Sequence, residues 1–267
     1  MRMYMSVFRI RFINSLQYRA VALGAIITRF AWGFMEVLAY SALYHSGNST
    51  FPMEFSQTVS YIWMQQTLIV LFSVVFSDGE IYSAIGSGSI AYELVRPMDL
   101  YGRWFCQSAA NRLAFTILNC LPSLLVALIM PKPYRMSLPI AMGQFLLFLL
   151  STVLALCVVV AFAMLMYISL FYLLSQRGIK IIVTALTSFL SGGVIPLPFF
   201  PAPVLAVVNL LPFAAMQNMP LRIYSGNIAG VDALKGIAFQ LFWLAVLFLI
   251  GKFTMSRALK KVIVQGG

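Results

Sequence analysis

Apolar residues along this chain do not alternate with polar ones; they gather into six blocks, at about 20–44, 58–76, 105–130, 138–173, 179–200 and 236–251. Each block can cross a hydrocarbon core of about 30 Å as a helix. A helix is also the open-ended way to satisfy the backbone there. A closed barrel would instead show segments of about ten residues alternating in polarity, and these are absent. The pattern therefore predicts an all-α membrane protein with six transmembrane helices, built as one domain over 1–267. Ahead of the first block, Met1, Met5, Phe8, Phe12 and Leu16 recur at helical spacing, while Arg2, Arg9, Arg11 and Arg19 lie elsewhere around the wheel. This predicts a helix over 1–19 lying in the membrane interface, apolar side in the acyl boundary and arginines at the headgroups. A basic anchor that only tethers the chain is the alternative.

Composition agrees. The chain is 61% hydrophobic and 9% charged, with a mean hydropathy of +0.92, against roughly 45–50% apolar and about 25% charged in soluble proteins. A water-soluble enzyme is excluded, and so is disorder. The net charge of +11 does not point to nucleic acid, because the basic residues sit at block ends rather than in a stripe. With the N-terminus inside, the inner segments hold 12 of the 18 Lys and Arg residues and the outer ones hold 4. That asymmetry places both termini in the cytoplasm. Tyr44, Tyr61, Trp63, Tyr101 and Trp104 fall near the expected interfaces, where amphipathic rings settle. Cys106, Cys120 and Cys157 lie in apolar surroundings without CxxC spacing and read as small buried hydrophobes.

Enzymatic chemistry is thin. There is no GxxxxGK[ST], no HExxH and no GxSxG, and the lone histidine, His45, cannot build a metal site or a triad. No metal or cofactor is expected on this chain. Within the blocks only Arg29, Glu36 and Arg112 are ionisable in the ordinary range. Arg29 and Glu36 are seven apart, on one helix face with Gly33 and Tyr40. They read either as a polar lining of the bundle interior or as a structural ion pair. Arg112 reads as an arginine snorkelling to the headgroups. A single glutamate is a poor endowment for an ion-coupled carrier, which needs carboxylates at membrane depth.

Two connections stand out. The inner one, 77–104, spends nearly thirty residues where a hairpin needs a handful, and it holds Asp78, Glu80, Glu93 and Asp99, four of the seven acids. Gly86 and Gly88 loosen it; Ile90, Leu94 and Val95 then share a helical face, and Pro97 ends the turn. This predicts a short amphipathic cytoplasmic helix between spans 2 and 3, suited to docking a soluble partner. An interfacial loop that merely ties two spans is the alternative. The outer connection, 191–235, contains six of the twelve prolines yet includes the apolar runs VLAVVNLL and FAAMQNM. Apolar, proline-broken segments predict short re-entrant half-helices between spans 5 and 6, sheltered by protein or lining a cavity. They make either an outer lid or an inert packed cap.

These two connections resemble those of the membrane subunits of ABC exporters of the ABC-2 type. The run IGSGSIAYELVRP (85–97) is similar to that family's inner-loop pattern ending in L-x-R-P. SGGVIPLPFFP (191–201), followed by LPF (211–213) and Met219–Pro220, is similar to its outer glycine-proline pattern. The resemblance covers essentially the whole chain. It implies a half-transporter: two permeases, identical or paralogous, above two cytoplasmic ATPase subunits that carry the ATP and Mg. Coupling to the ATPase would fall to Gly88, Tyr92, Glu93, Leu94, Arg96 and Pro97, aided by the inner turn near 176–180 and the N-terminal helix. The extracellular gate would be formed by Gly192, Gly193, Pro196, Pro198, Phe199, Phe200, Pro201 and Pro212. A multi-pass protein of a bacterial-type cytoplasmic membrane follows, embedded in lipid, exporting an unidentified substrate. Two rival readings remain at this point. An ion-coupled secondary transporter would work without an ATPase, and a membrane-embedded lipid-handling enzyme or scaffold would require a polar catalytic cluster.

Overall fold

A computed structural model describes residues 2–15, 20–47, 51–75, 79–87, 89–95, 97–139, 141–173 and 176–260. Among these residues the regular structure is entirely helical. The helices are α1 (Arg2–Ser15), α2 (Ala20–His45), α3 (Phe55–Phe72), α4 (Gly79–Gly86), α5 (Ile90–Leu94), α6 (Leu100–Ile129), α7 (Met142–Ser169), α8 (Gln176–Leu190), α9 (Ala202–Val208), α10 (Asn218–Tyr224) and α11 (Gly230–Leu259). Single 3-10 turns at Leu197–Phe199 and Pro212–Ala215 flank α9.

Among the described residues three helices, α6, α7 and α11, are long and apolar enough to cross a membrane. At 1.5 Å per residue each spans roughly 42–45 Å. The fifth apolar block is not one rod: α8 stops at Leu190, because Gly192 turns the chain with φ +83° and Pro196 follows. Its fifteen residues reach about 23 Å, less than a hydrocarbon core. At the other connection α6 starts at Leu100, within the stretch that the sequence reads as loop. Asp99 caps it, its carboxylate accepting the Gly102 N–H at 3.0 Å.

Apolar burial does not drive helices together in lipid, so close packing and internal hydrogen bonds must. The central helix α7 is buried through Val158, Val159, Val160, Ala161, Ala163 and Met164, and it lies along α11. Gly251 of α11 meets the Tyr101 ring of α6 so closely that a Cβ there would lie 2.6 Å from it. Gly33 of α2 packs against Trp63 and Gln66 of α3 in the same way. The rings expected at the interfaces are instead interior: Tyr61, Trp63, Tyr101 and Trp104 are all buried, and the Trp63 indole donates to the Tyr134 carbonyl at 2.9 Å. The polar tips of Tyr61, Trp63 and Trp104 have protein partners, which removes the need for headgroup water, while the Tyr101 hydroxyl is buried without one.

The chain passes leave two distinct ends. At one lie α4 and α5, the start of α6 and the ends of α7 and α11. At the other lie the starts of α3, α7 and α11 together with α10, where Gln144 donates to the Ile223 carbonyl at 2.7 Å and Phe148 packs on Tyr224.

Candidate functional site

The inner connection forms two short helices rather than one. Gly88 and Arg96 lie outside the described residues, as do Met1, Leu16, Arg19 and Asp78. The expected common face of Ile90, Leu94 and Val95 is split. Ile90 is buried, whereas Leu94 is exposed and Val95 is 85% exposed. The reason is length: α5 has five residues, so Leu94 is its last and Val95 lies in the turn beyond. Tyr92, 80% exposed, joins Val95 and Pro97 on an uncovered hook.

Glu93 differs from these neighbours. Its carboxylate accepts from the Trp104 indole at 2.7 Å and pairs with the buried Arg103 guanidinium at 3.1 Å. Trp104 stacks on Phe171. Thus α5 is clasped to α6 through one charge-assisted contact of the stronger kind. α4 is tied just as closely. Tyr82 packs edge-on against Tyr167 of α7, its hydroxyl lies 3.7 Å from the Met166 sulfur, and Lys180 of α8 sits 3.6 Å above its ring. Arg11 of α1 pairs with Glu80. The exposed hook is therefore mechanically joined to α1, α6, α7 and α8.

The outer connection sinks into the bundle. Gln65, ten residues and about 15 Å along α3, donates to the Gly193 carbonyl at 2.8 Å. The buried Tyr61 hydroxyl donates to the Gly192 carbonyl at 3.3 Å. At Gly193 an added Cβ would lie 2.9 Å from both the Ser188 carbonyl and the Gln217 amide, so this glycine is required by close approach. Beyond α9, the Pro212–Ala215 turn is held by Gln240, ten residues along α11. Its Nε2 donates to Ala215 and Ser151 carbonyls at 2.9 and 3.1 Å, and its Oε1 accepts from the Ser151 hydroxyl at 2.9 Å. Of the residues expected to gate, Gly192, Pro196, Phe200 and Pro212 are buried and Gly193, Pro198 and Phe199 half-buried. Pro201 is exposed. Phe199 packs on Tyr40 with ring centroids 4.9 Å apart, so the segment leans on α2.

Three neighbouring concavities follow this segment. One of about 830 Å³ lies between α2 and the Pro198–Phe200 region. A second, about 560 Å³, is lined by Arg29, Trp32, Glu36, Gln66, Ile69 and Gly193 among others. The third, about 200 Å³, lies between α3 and α8 beneath the Gly192–Gly193 turn. Arg29 and Glu36 thus face one cavity but are not joined. Glu36 accepts from Gln66 at 3.4 Å, leaving Oε1 unpartnered, and Arg29 Nη1 is buried without a partner. Their shared stripe is a polar lining rather than an ion pair. Arg112 does not snorkel. It is completely buried and donates to the Ser108 hydroxyl at 2.8 Å and the Val74 carbonyl at 2.9 Å, fastening the end of α3 to α6.

The sequence reading passed over four glutamines: Gln65, Gln66, Gln217 and Gln240. Their signal was visible, since Gln65, Gln66 and Gln240 interrupt blocks otherwise nearly free of amides. A stripe of Thr184, Thr187, Ser188 and Ser191 at helical spacing on α8 was also visible. No curated protein matches the chain. The family model for ABC-2 family transporter proteins matches residues 30–266, and this chain belongs to that family, as a membrane component of transport.

Proposed function

We propose that the chain is the permease subunit of an ATP-driven exporter. In this reading it crosses the cytoplasmic membrane six times with both termini inside; α2 and α3 supply two crossings beyond α6, α7 and α11, and α8 continued by the segment after Gly192 supplies the sixth. Two permeases, identical or paralogous, face each other above two cytoplasmic ATPase subunits that bind ATP and Mg. The hook at Tyr92–Pro97, with Gly88 and Arg96, docks on the ATPase, and the Gly192–Pro212 segment gates the outer side.

One observation carries the reading: the Glu93 carboxylate clasps Arg103 and Trp104 while Tyr92 and Val95 beside it stand uncovered. A peg that is exposed at its tip and rigidly joined at its base converts a push into helix tilting; a floppy loop would absorb it. The base reaches α7 and α8 through Tyr82 and Lys180. α8 ends at the Gly192–Gly193 turn, so movement at one end of the molecule is delivered to the other.

The test is co-isolation in mild detergent followed by ATPase turnover in the isolated complex. A protein with Walker motifs is expected to accompany the wild-type chain, and Val95→Asp is expected to release it without loss of membrane insertion. Glu93→Ala is expected to leave the ATPase bound but lower its stimulated turnover, because the peg loses its base. Purified chain that pumps solute in vesicles without a companion would overturn the reading, as would a Val95→Asp chain that retains the ATPase fully.

A further inference from the structure

The stripe of Arg29, Trp32 and Glu36 on α2 has a chemistry that coupling and gating leave unused. These residues stand three and four apart, so each neighbours the next on the helix surface. With Gln66 and Ile69 of α3 and with Gly193, they line the cavity of about 560 Å³. Arg29 lies nine residues, about 14 Å, into α2. An ionisable side chain at that depth is costly unless it meets a partner or lines a cavity.

The two ends of the stripe differ. At one, Arg29 is half-buried and takes part in no hydrogen bond or ion pair among the described residues. Of its three nitrogens only Nη1 is sealed in; the other two keep open surface, each with hydrogen to donate. That end lacks an anion. At the other, Glu36 Oε2 accepts from Gln66 and Oε1 is sealed in, so the carboxylate acts on a guest through its charge rather than by contact. Between them Trp32 is 62% exposed. An indole face beside a carboxylate suits a cation, a quaternary ammonium above all. Farther along α2 the lining turns apolar. Ala39 also borders the neighbouring cavity of about 830 Å³, which is lined by Leu43, Ile195 and Phe199 among others and by no charged side chain.

We infer that this cavity binds an amphiphile with a zwitterionic head and an apolar tail. The anion, a phosphate or carboxylate, lies on the Arg29 guanidinium. The cation lies on the Trp32 ring within the field of Glu36, and the tail runs past Ala39 along Leu43 and Phe199. Arg29 and Trp32 are about 4.5 Å apart along the helix axis, so the two charges of the guest are similarly close, as in a phosphocholine head. An anion alone is repelled by Glu36 and a cation alone by Arg29; an uncharged head leaves Arg29 unmet. The role of this guest as cargo rests on the permease reading, but binding itself needs no ATPase.

Native mass spectrometry of the full chain in dodecyl maltoside tests it with four probes. Dodecylphosphocholine carries head and tail, glycerophosphocholine the head without the tail, dodecyl phosphate the tail with an anion, and dodecyltrimethylammonium the tail with a cation. Dodecylphosphocholine is expected to bind saturably and at least fivefold tighter than each of the others. Arg29→Met should weaken it at least tenfold. Trp32→Leu, at an exposed position that the fold does not depend on, should weaken it about threefold. No saturable binding of dodecylphosphocholine, equal binding of a probe with one charge, or affinity unchanged in either variant would overturn the inference. So would equal binding of glycerophosphocholine, which would make the ligand a free solute rather than a lipid. If the ATPase still co-isolates while dodecylphosphocholine fails, only the cavity assignment falls. If dodecylphosphocholine binds and no ATPase accompanies the chain, the site stands and the export reading falls.

Discussion

Gln240 and Gln65 seat the two ends of the same inserted segment at similar depth, yet they are used in opposite ways. Gln240 satisfies its whole amide, with two carbonyls and a hydroxyl around it. Gln65 spends its Nε2 on Gly193 and leaves its Oε1 buried without a partner. The first seat is a fastening. The second leaves a buried acceptor unmet. In a medium that cannot hydrogen-bond, where a polar group is left open says more about function than where it is placed.

The comparison predicts first that the fastening is the more fragile to lose. Gln240→Leu removes three hydrogen bonds, each worth about 0.6 kcal/mol inside a bilayer, so about 2 kcal/mol in all. Thermal unfolding in mild detergent should fall by several degrees. A variant as stable as wild type would show that the Pro212–Ala215 turn is held by apolar packing alone. Ser151→Ala removes the hydroxyl from Gln240 Oε1 but keeps both carbonyl acceptors, so the loss should be smaller, about 0.6–1 kcal/mol. If Ser151→Ala costs as much as Gln240→Leu, the seat is a cooperative unit rather than three separate bonds.

Gln65→Leu should cost about 0.6 kcal/mol or less, because one bond is lost while an unmet Oε1 is removed with it. Its effect should be seen in coupled turnover, through the Gly192–Gly193 turn that it holds, far more than in stability. A stability loss as large as that of Gln240→Leu would make Gln65 a second fastening, and the distinction between the two seats would collapse.

These contrasts explain what could be read from the chain alone. The helical class, the apolar rods α6, α7 and α11, and the breaks at Gly192, Pro196 and Pro212 follow from local chemistry, because hydropathy and proline act where they stand. So did the family resemblance, which the match over residues 30–266 supports. What escaped depends on contacts far apart in sequence. Nothing near Trp104 signals that its indole meets Glu93, and nothing near Arg112 signals the Val74 carbonyl; both were therefore assigned to the membrane interface. The glutamines were legible as residue types, but whether an amide in a span is filled or open is decided only by what packs opposite. The same holds for Ile90 and Val95, one buried and one exposed because the helix ends before Val95.

The smallest effect expected on stability is also the most telling. Arg29→Met deletes a guanidinium whose Nη1 is buried without a partner, and its aliphatic replacement fills a similar volume. A structural ion pair with Glu36 would make this change destabilising, since the carboxylate would then be left buried and alone. But Glu36 is held by Gln66, not by Arg29. Unfolding should therefore shift by no more than about 0.5 kcal/mol, the range of a replacement that breaks no contact. Glu36→Gln should have the same effect in the Arg29→Met background as in the wild type, because two side chains without a shared contact behave additively. A coupling of about 1 kcal/mol or more between the two would show that they pair during the working cycle, and the cavity that they line would then be one that closes.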